Sequence, residues 1–251
     1  MDTLTKNIQP LDVVGKTNEI VTYPTNDGFL PSGTIITVKT DGTGNFTDLQ
    51  SAVSFLNGKW SNGSVTIKIG EGTFNISKQI NVVGTAFNIP QLKIEGSGMN
   101  KTILSTTDRA IVFLSCYNKV QFCNCKISAP TKSSSSGFYV DHSVNVYFNN
   151  IAIDNFYMGI YLGWLAKSSL NNALTITNCD IGIYLENHAD LMVIAGSDIT
   201  MSNVGTGYKL IRMSYVTSIN ATHTFTNVTS KSNITKNTFV TNGVLFVEGT
   251  F

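Results

Sequence analysis

Gly137-Phe138-Tyr139-Val140-Asp141 returns as Gly159-Ile160-Tyr161-Leu162-Gly163, as Gly182-Ile183-Tyr184-Leu185-Glu186 and as Gly207-Tyr208-Lys209-Leu210-Ile211, at spacings of 22, 23 and 25 residues. A second motif interleaves with it: Val120-Gln121-Phe122-Cys123-Asn124-Cys125-Lys126-Ile127, then Val146-Tyr147-Phe148-Asn149-Asn150-Ile151-Ala152-Ile153, then Leu174-Thr175-Ile176-Thr177-Asn178-Cys179-Asp180-Ile181. A looser copy ends at Gly196-Ser197-Asp198-Ile199. Two strand-like motifs recurring together at just over twenty residues describe one turn of a solenoid with several strands per coil. A helical repeat would carry apolar spacing of about 3.6 residues instead. The expected fold is therefore all-β, a right-handed parallel β-helix.

Alternation within the strands assigns faces, because successive side chains point to opposite sides of a sheet. Phe138 and Val140, Ile160 and Leu162, Ile183 and Leu185, Tyr208 and Leu210 are expected to face inward and stack. Tyr139, Tyr161, Tyr184 and Lys209 then face outward. In the second motif Asn124, Asn150 and Asn178 align with Gly196, which suits a tight bend needing positive φ. The same alignment stacks Cys125, Ile151, Cys179 and Ser197. With rungs ~4.8 Å apart, Cys125 and Cys179 would sit roughly 9.6 Å from each other, too far for a disulfide. None of the four cysteines has metal-ligand spacing, and buried free thiols are the expectation.

Hydrophobic residues make up 42% of the 251-residue chain and charged residues 13%, so polarity comes mainly from Asn, Ser, Thr and Gly, a mixture that favours turns and strands over helices. A formal charge of +1 without a basic block argues against nucleic acid as a partner. No apolar run approaches the ~20 residues that cross a bilayer, and the first residues lack a signal-peptide pattern, so synthesis in a cytoplasm is expected.

Residues 1–33 show no repeat, contain Pro10, Pro24 and Pro31, and read as an N-terminal extended segment or attachment arm. The β-helix is expected over 34–251, with an amphipathic helix at about 46–56 capping its open apolar end, clear coils over 65–211 and irregular coils over 212–251. The opening series Asp41-Gly42-Thr43-Gly44-Asn45-Phe46-Thr47-Asp48-Leu49-Gln50-Ser51-Ala52-Val53, then Ile69-Gly70-Glu71-Gly72-Thr73-Phe74, then Leu92-Lys93-Ile94-Glu95-Gly96-Ser97-Gly98, resembles the start of β-helices of the pectate-lyase and pectin-methylesterase type. Bacteriophage tailspikes and tail fibres share that architecture. The motif resemblance covers about residues 34–105, and coil periodicity carries it further.

The resemblance does not bring the esterase chemistry with it. The family's Gln-Asp pair and Trp-Gly-Arg motif are missing, Arg109 and Arg212 are the only arginines, and no acid cluster in matching coils suggests a calcium-dependent lyase. Glycoside hydrolysis needs two carboxyl groups, ~5–5.5 Å apart for retention or ~6.5–9.5 Å for inversion. Asp141 and Glu186 hold the same outward position two rungs apart, with Gly163 leaving space between them, and are the candidate catalytic pair if the chain is an enzyme. Tyr139, Tyr161 and Tyr184 line the adjacent column, as flat faces for sugar rings or as a subunit interface. Solvated acids beside an ordinary aromatic ladder are the plainer alternative. His142 and His188 read as turn residues, and neither a metal site nor a cofactor is expected.

Coil repeats, low charge, an N-terminal arm and the resemblance lead to one expectation: a bacteriophage virion protein, a tail fibre, tailspike or baseplate part. It would form a homotrimer, attach to other virion proteins through its N-terminal segment, and contribute to recognition of host surface polysaccharide. The alternatives are a glycan depolymerase and, behind it, a secreted carbohydrate-active enzyme.

Overall fold

In the computed structural model, which describes residues 28–235 and 244–248, the chain winds as a parallel β-solenoid of about seven turns. Three runs of strands form its faces. Sheet A comprises Thr34–Val38, Ser64–Ile69, Gln91–Glu95, 119–123, 144–149, 167–171, Asp190–Val193, Tyr215–Ile219 and Val244–Glu248, each paired in parallel with the next. Sheet B comprises Gly72–Ile76, Thr102–Thr106, 126–128, 151–154, 173–177, 198–202 and 222–226. Sheet C comprises Ile80–Val83, Ile111–Leu114, 138–141, 160–163, Ile181–Leu185, 206–211 and 230–235. Strand Lys119–Asp141 runs through all three faces without a break.

The inward columns follow the alternation read from the sequence. Phe138 pairs with Ile160, Ile160 with Ile183 and Ile183 with Tyr208; Val140, Leu162, Leu185 and Leu210 do the same two residues on. All eight are fully buried. Ile80 and Ile111 continue the first column in the opposite direction, and Val82 and Phe113 the second. Burying such a side chain stabilises by about 1.5–3 kcal/mol, so a column uninterrupted over many rungs is the main source of cohesion. The glycine that opens each repeat has a steric cause. A Cβ on Gly159 would lie 2.6 Å from the carbonyl oxygen of Gly182, and one on Gly182 would lie 2.7 Å from both the Gly207 oxygen and the Met201 sulfur. Sheet C leaves its bend too close to the side chains of sheet B to admit any substituent.

The capping helix spans Leu49–Phe55, inside the expected range, and Asp48 caps it by accepting a hydrogen bond from the Ser51 N–H at 2.7 Å. Leu49, Ala52, Val53 and Leu56 bury the opposite face against the first coils. Of the expected arm, residues 28–33 belong to the base of the solenoid: Phe29–Leu30 pairs with Trp60–Ser61, and Leu30 is fully buried. Residues 1–27 lie outside the described residues.

Three details depart from the sequence reading. The single asparagine ladder is two ladders. Asn149 pairs with Asn171 and Ile151 with Leu174, which sets Asn150 beside Asn172 and not beside Asn178. Asn124, Asn150, Asn172, Gly196 and Asn220 take left-handed φ at the bend between sheets A and B; Asn155, Asn178, Asn203 and Asn227 do so between sheets B and C. Period-two alternation is satisfied equally well in either sheet, so it cannot detect that the third copy of the motif belongs to sheet B alone. For the same reason Cys125 and Cys179 do not share a column. Cys125 stacks with Ile151 and Leu174, whereas Cys179 lies at the level of Phe156 and Val204. All four cysteines are free and buried, and burial raises their thiol pKa, to about 11 for Cys116 and Cys179 and about 12 for Cys123.

The coils beyond 211 are also more regular than expected. Tyr215–Ile219 pairs with Asp190–Val193 and then with Val244–Glu248, and Thr222–Thr235 follows Asp198–Ile211 rung for rung. The small polar residues there hide a repeat that the backbone keeps. Phe239 and Val240, expected in these coils, lie outside the described residues.

Candidate functional site

The outer face of sheet C carries the two rows foreseen from the repeat. Tyr139 pairs with Tyr161, Tyr161 with Tyr184 and Tyr184 with Lys209. Asp141 pairs with Gly163, and the Glu186 N–H donates to the Leu162 carbonyl at 2.9 Å, which sets Glu186 opposite Gly163 on the next rung. Asp141 and Glu186 therefore stand two rungs apart, roughly 9.6 Å between backbones at the standard strand separation.

Within the rows the side chains bind one another. Tyr139 and Tyr161 stack with centroids 4.6 Å apart and planes 12° apart, and Tyr161 meets Tyr184 edge to face at 5.5 Å. The Arg109 guanidinium lies over Tyr139 at 4.2 Å and the Lys209 ammonium over Tyr184 at 4.9 Å, closing the column at both ends with cation–π contacts. Glu186 accepts a hydrogen bond from Tyr161 through one oxygen and from Tyr184 through the other, the latter at 3.0 Å. Tyr139 donates to Asp141 at 3.4 Å, and His142 Nδ1 stands 3.0 Å from the other Asp141 oxygen.

This arrangement corrects the idea of an open slot between the two acids. A Cβ on Gly163 would meet the Tyr161 hydroxyl at 2.6 Å and its ring carbons at 2.7 and 2.9 Å, so the glycine makes room for the phenol, not for a substrate. Tyr161 is only 7% exposed although it faces away from the core. The flat platform is equally occupied: Tyr139 has Arg109 from the preceding rung against it and Tyr161 from the following one. Burial, then the Glu186 hydrogen bond, holds the Tyr161 phenol far above its ordinary pKa. Burial with the Glu186 charge pushes Tyr184 up to about 12. Burial and then Asp141 raise Tyr139 as well. All three stay protonated near neutrality and serve as donors to the carboxylates. The Tyr161 phenol thus occupies the space over Gly163, on the rung between the two acids.

Beside the column runs the bend that leads from sheet C back to sheet A, which the repeat analysis passed over. Ser115, His142, Leu165, His188 and Met213 form one row there, by the bonds from Ser115 N to Asp141 O, His142 N to Trp164 O, Leu165 N to Asn187 O and His188 N to Arg212 O. All five have φ between +47° and +64°, and Trp164, Asn187 and Arg212 add a second left-handed residue in the later coils, at +33°, +56° and +51°. Trp164 is 52% exposed and Leu165 57%. The indole lies parallel to the His142 imidazole, 9° between planes and 6.2 Å between centroids. One signal was available: Trp164-Leu165 stands where the next repeat has Asn187-His188, two large apolar residues at a turn position.

Polar groups inside the solenoid serve packing. Tyr208, His223 and Ser218 form a buried chain, Tyr208 Oη to His223 Nδ1 at 2.9 Å and His223 Nε2 to Ser218 Oγ at 2.8 Å. Among the described residues no group of three or more His, Cys, Asp or Glu could hold a metal ion, and no helix is long and apolar enough to cross a membrane. Comparison with family models, with curated proteins and with solved structures found no match to this chain.

Proposed function

We propose that this chain is a non-catalytic component of a bacteriophage virion, a tail fibre, tailspike or baseplate part, whose solenoid supplies a rigid shaft and whose sheet C side contributes to recognition of a host surface glycan. The observation that carries the non-catalytic reading is the phenol of Tyr161 seated over Gly163 between Asp141 and Glu186. A pair of carboxylates already engaged by three phenols is suited to locking rungs together, and the solenoid's uninterrupted columns support the shaft. Assembly as a homotrimer, and attachment through the N-terminal segment, belong to the same proposal.

The test is incubation of the purified protein with a panel of capsular and O-antigen polysaccharides, assayed both for binding and for new reducing ends. Binding without cleavage is the expected result. Release of reducing ends, abolished by Asp141→Ala with Glu186→Ala, would replace this reading with that of a depolymerase. Sedimentation equilibrium is expected to give three times the chain mass, and a monomer would remove the trimer.

A further inference from the structure

Resting on that reading, we infer that the glycan contact is the bend bearing Trp164 and Leu165, with the indole of Trp164 as the surface on which a pyranose ring stacks, and that the tyrosine column is not the contact. The tyrosines are already engaged: Tyr161 is buried, Tyr139 lies between Arg109 and Tyr161, and Lys209 stands over Tyr184. Trp164 is half exposed, and the ring of His142 on the preceding rung lies parallel to it with centroids 6.2 Å apart. The exposed His142 places its Nδ1 3.0 Å from an Asp141 oxygen, and its imidazole brings ring nitrogens able to hydrogen-bond a sugar hydroxyl to the same ridge. On the following rungs the exposed Arg212 donates to Asn187 at 3.2 Å, adding further polar groups to the same ridge. Aromatic faces flanked by fixed polar groups are what the apolar C–H face and equatorial hydroxyls of a pyranose require.

A glycan fits this ridge better than a second protein chain does. A stable protein interface buries about 800 Å² on each partner and is apolar at its centre. Here the exposed apolar residues Tyr117, Trp164, Leu165 and Tyr215 share the ridge with the exposed His142, Lys167, His188 and Arg212, a mixed surface unlike the apolar centre of a subunit interface. The backbone adds a separate argument. Left-handed φ disfavours bulky side chains, and the same bend uses Asn187 one rung later. Two large apolar residues in adjacent left-handed positions, each more than half exposed, are the kind of backbone strain that clusters at binding sites.

The chain holds two tryptophans, so each can be read separately. In Trp60→Phe, with Trp164 as the remaining indole, titration with a bound polysaccharide from the panel is expected to shift the emission to the blue; in Trp164→Phe the emission stays fixed. Trp164→Asn is expected to weaken binding at least tenfold without lowering the melting temperature, because asparagine suits the backbone there, and Leu165→Asn should weaken it less. Unchanged affinity in Trp164→Asn, an emission shift that follows Trp60, or a change of oligomeric mass on substitution overturns the inference while leaving glycan recognition standing. If the wild-type protein binds nothing on the panel, both fall together.

Discussion

At the bend between sheets A and B the left-handed residue is Asn124, Asn150, Asn172 or Asn220, with Gly196 on the remaining rung, whereas at the bend between sheets C and A it is Ser115, His142, Leu165, His188 or Met213. The backbone requirement is the same in both rows. In the first it is met by the residues that tolerate it best, and their amides also bind across rungs: Asn150 donates to Asn124 at 3.1 Å and Asn172 to Asn149 at 2.9 Å. In the second the side chains vary from Ser115 to Met213, and His142, Leu165 and His188 are exposed. A position that serves only the fold settles on the cheapest residue. A row that does not settle is being held for something else.

The sharpest way to break this contrast is to exchange chemistries. Asn150→Leu loses a tolerant left-handed residue, its bond to Asn124 and the bond its carbonyl accepts from the Ala173 N–H at 3.3 Å, and is expected to cost about 2–3 kcal/mol. His188→Leu in the other row replaces one disfavoured residue by another and should cost under about 1 kcal/mol. Urea unfolding of the two variants measures the difference, and equal losses would mean that the rows are not distinct.

Next in size is the tyrosine column, which borders the second row yet behaves like the first. Tyr161→Phe keeps the stack on Tyr139 but withdraws one of the two donors that hold Glu186, and is expected to cost about 1–2 kcal/mol. Tyr139→Phe, which loses only a long bond to Asp141, should cost less. A neutral Tyr161→Phe would show that the column is solvated decoration. Opposite in sign and smaller is Trp164→Asn, expected to raise stability by about 0.5–1 kcal/mol, since it removes the steric objection to left-handed φ. A loss of stability there would show that the indole packs for the fold and would erase the contrast between the bends.

How much of this was legible beforehand depends on what each residue answers to. The inward columns were readable because Phe138, Ile160, Ile183 and Tyr208 obey alternation and recur at coil length, and the Asp141–Gly163–Glu186 row followed from the same count. The ladders were only partly readable: hydrogen-bond register at a bend decides whether Asn178 sits with Asn150 or with Asn155, and alternation is blind to it. What filled the space over Gly163 was not readable at all. A glycine reports that something needs room, and which neighbour takes it depends on the rotamer of Tyr161. The Trp164 bend fell between the motif copies, and only the change from Trp164-Leu165 to Asn187-His188 one coil later marked it.

The smallest expected effect separates the histidines of the exposed row from the one in the core. His142 and His188 lie on the exposed bend, while His223 is buried between Tyr208 and Ser218, and burial lowers its pKa below the ordinary value. An unfolded chain therefore takes up a proton at His223 before the folded one does. The stability this residue contributes is fully present above about pH 6.5, the unfolded value, and is lost as pH falls from there toward the lower folded pKa. Asp154, held below its ordinary pKa despite burial by hydrogen bonds from Thr177, Lys126 and Asn178, begins to lose its contribution only in more acidic solution, below its unfolded value of 3.8. Melting temperature should stay level from pH 8 to about 6.5 and then decline. The decline should persist in His142→Gln and His188→Gln and flatten in His223→Gln, whatever the last substitution does to stability at neutral pH. If the slope instead follows His142 or His188, the exposed row takes part in the fold's own stability and the comparison between the two bends fails.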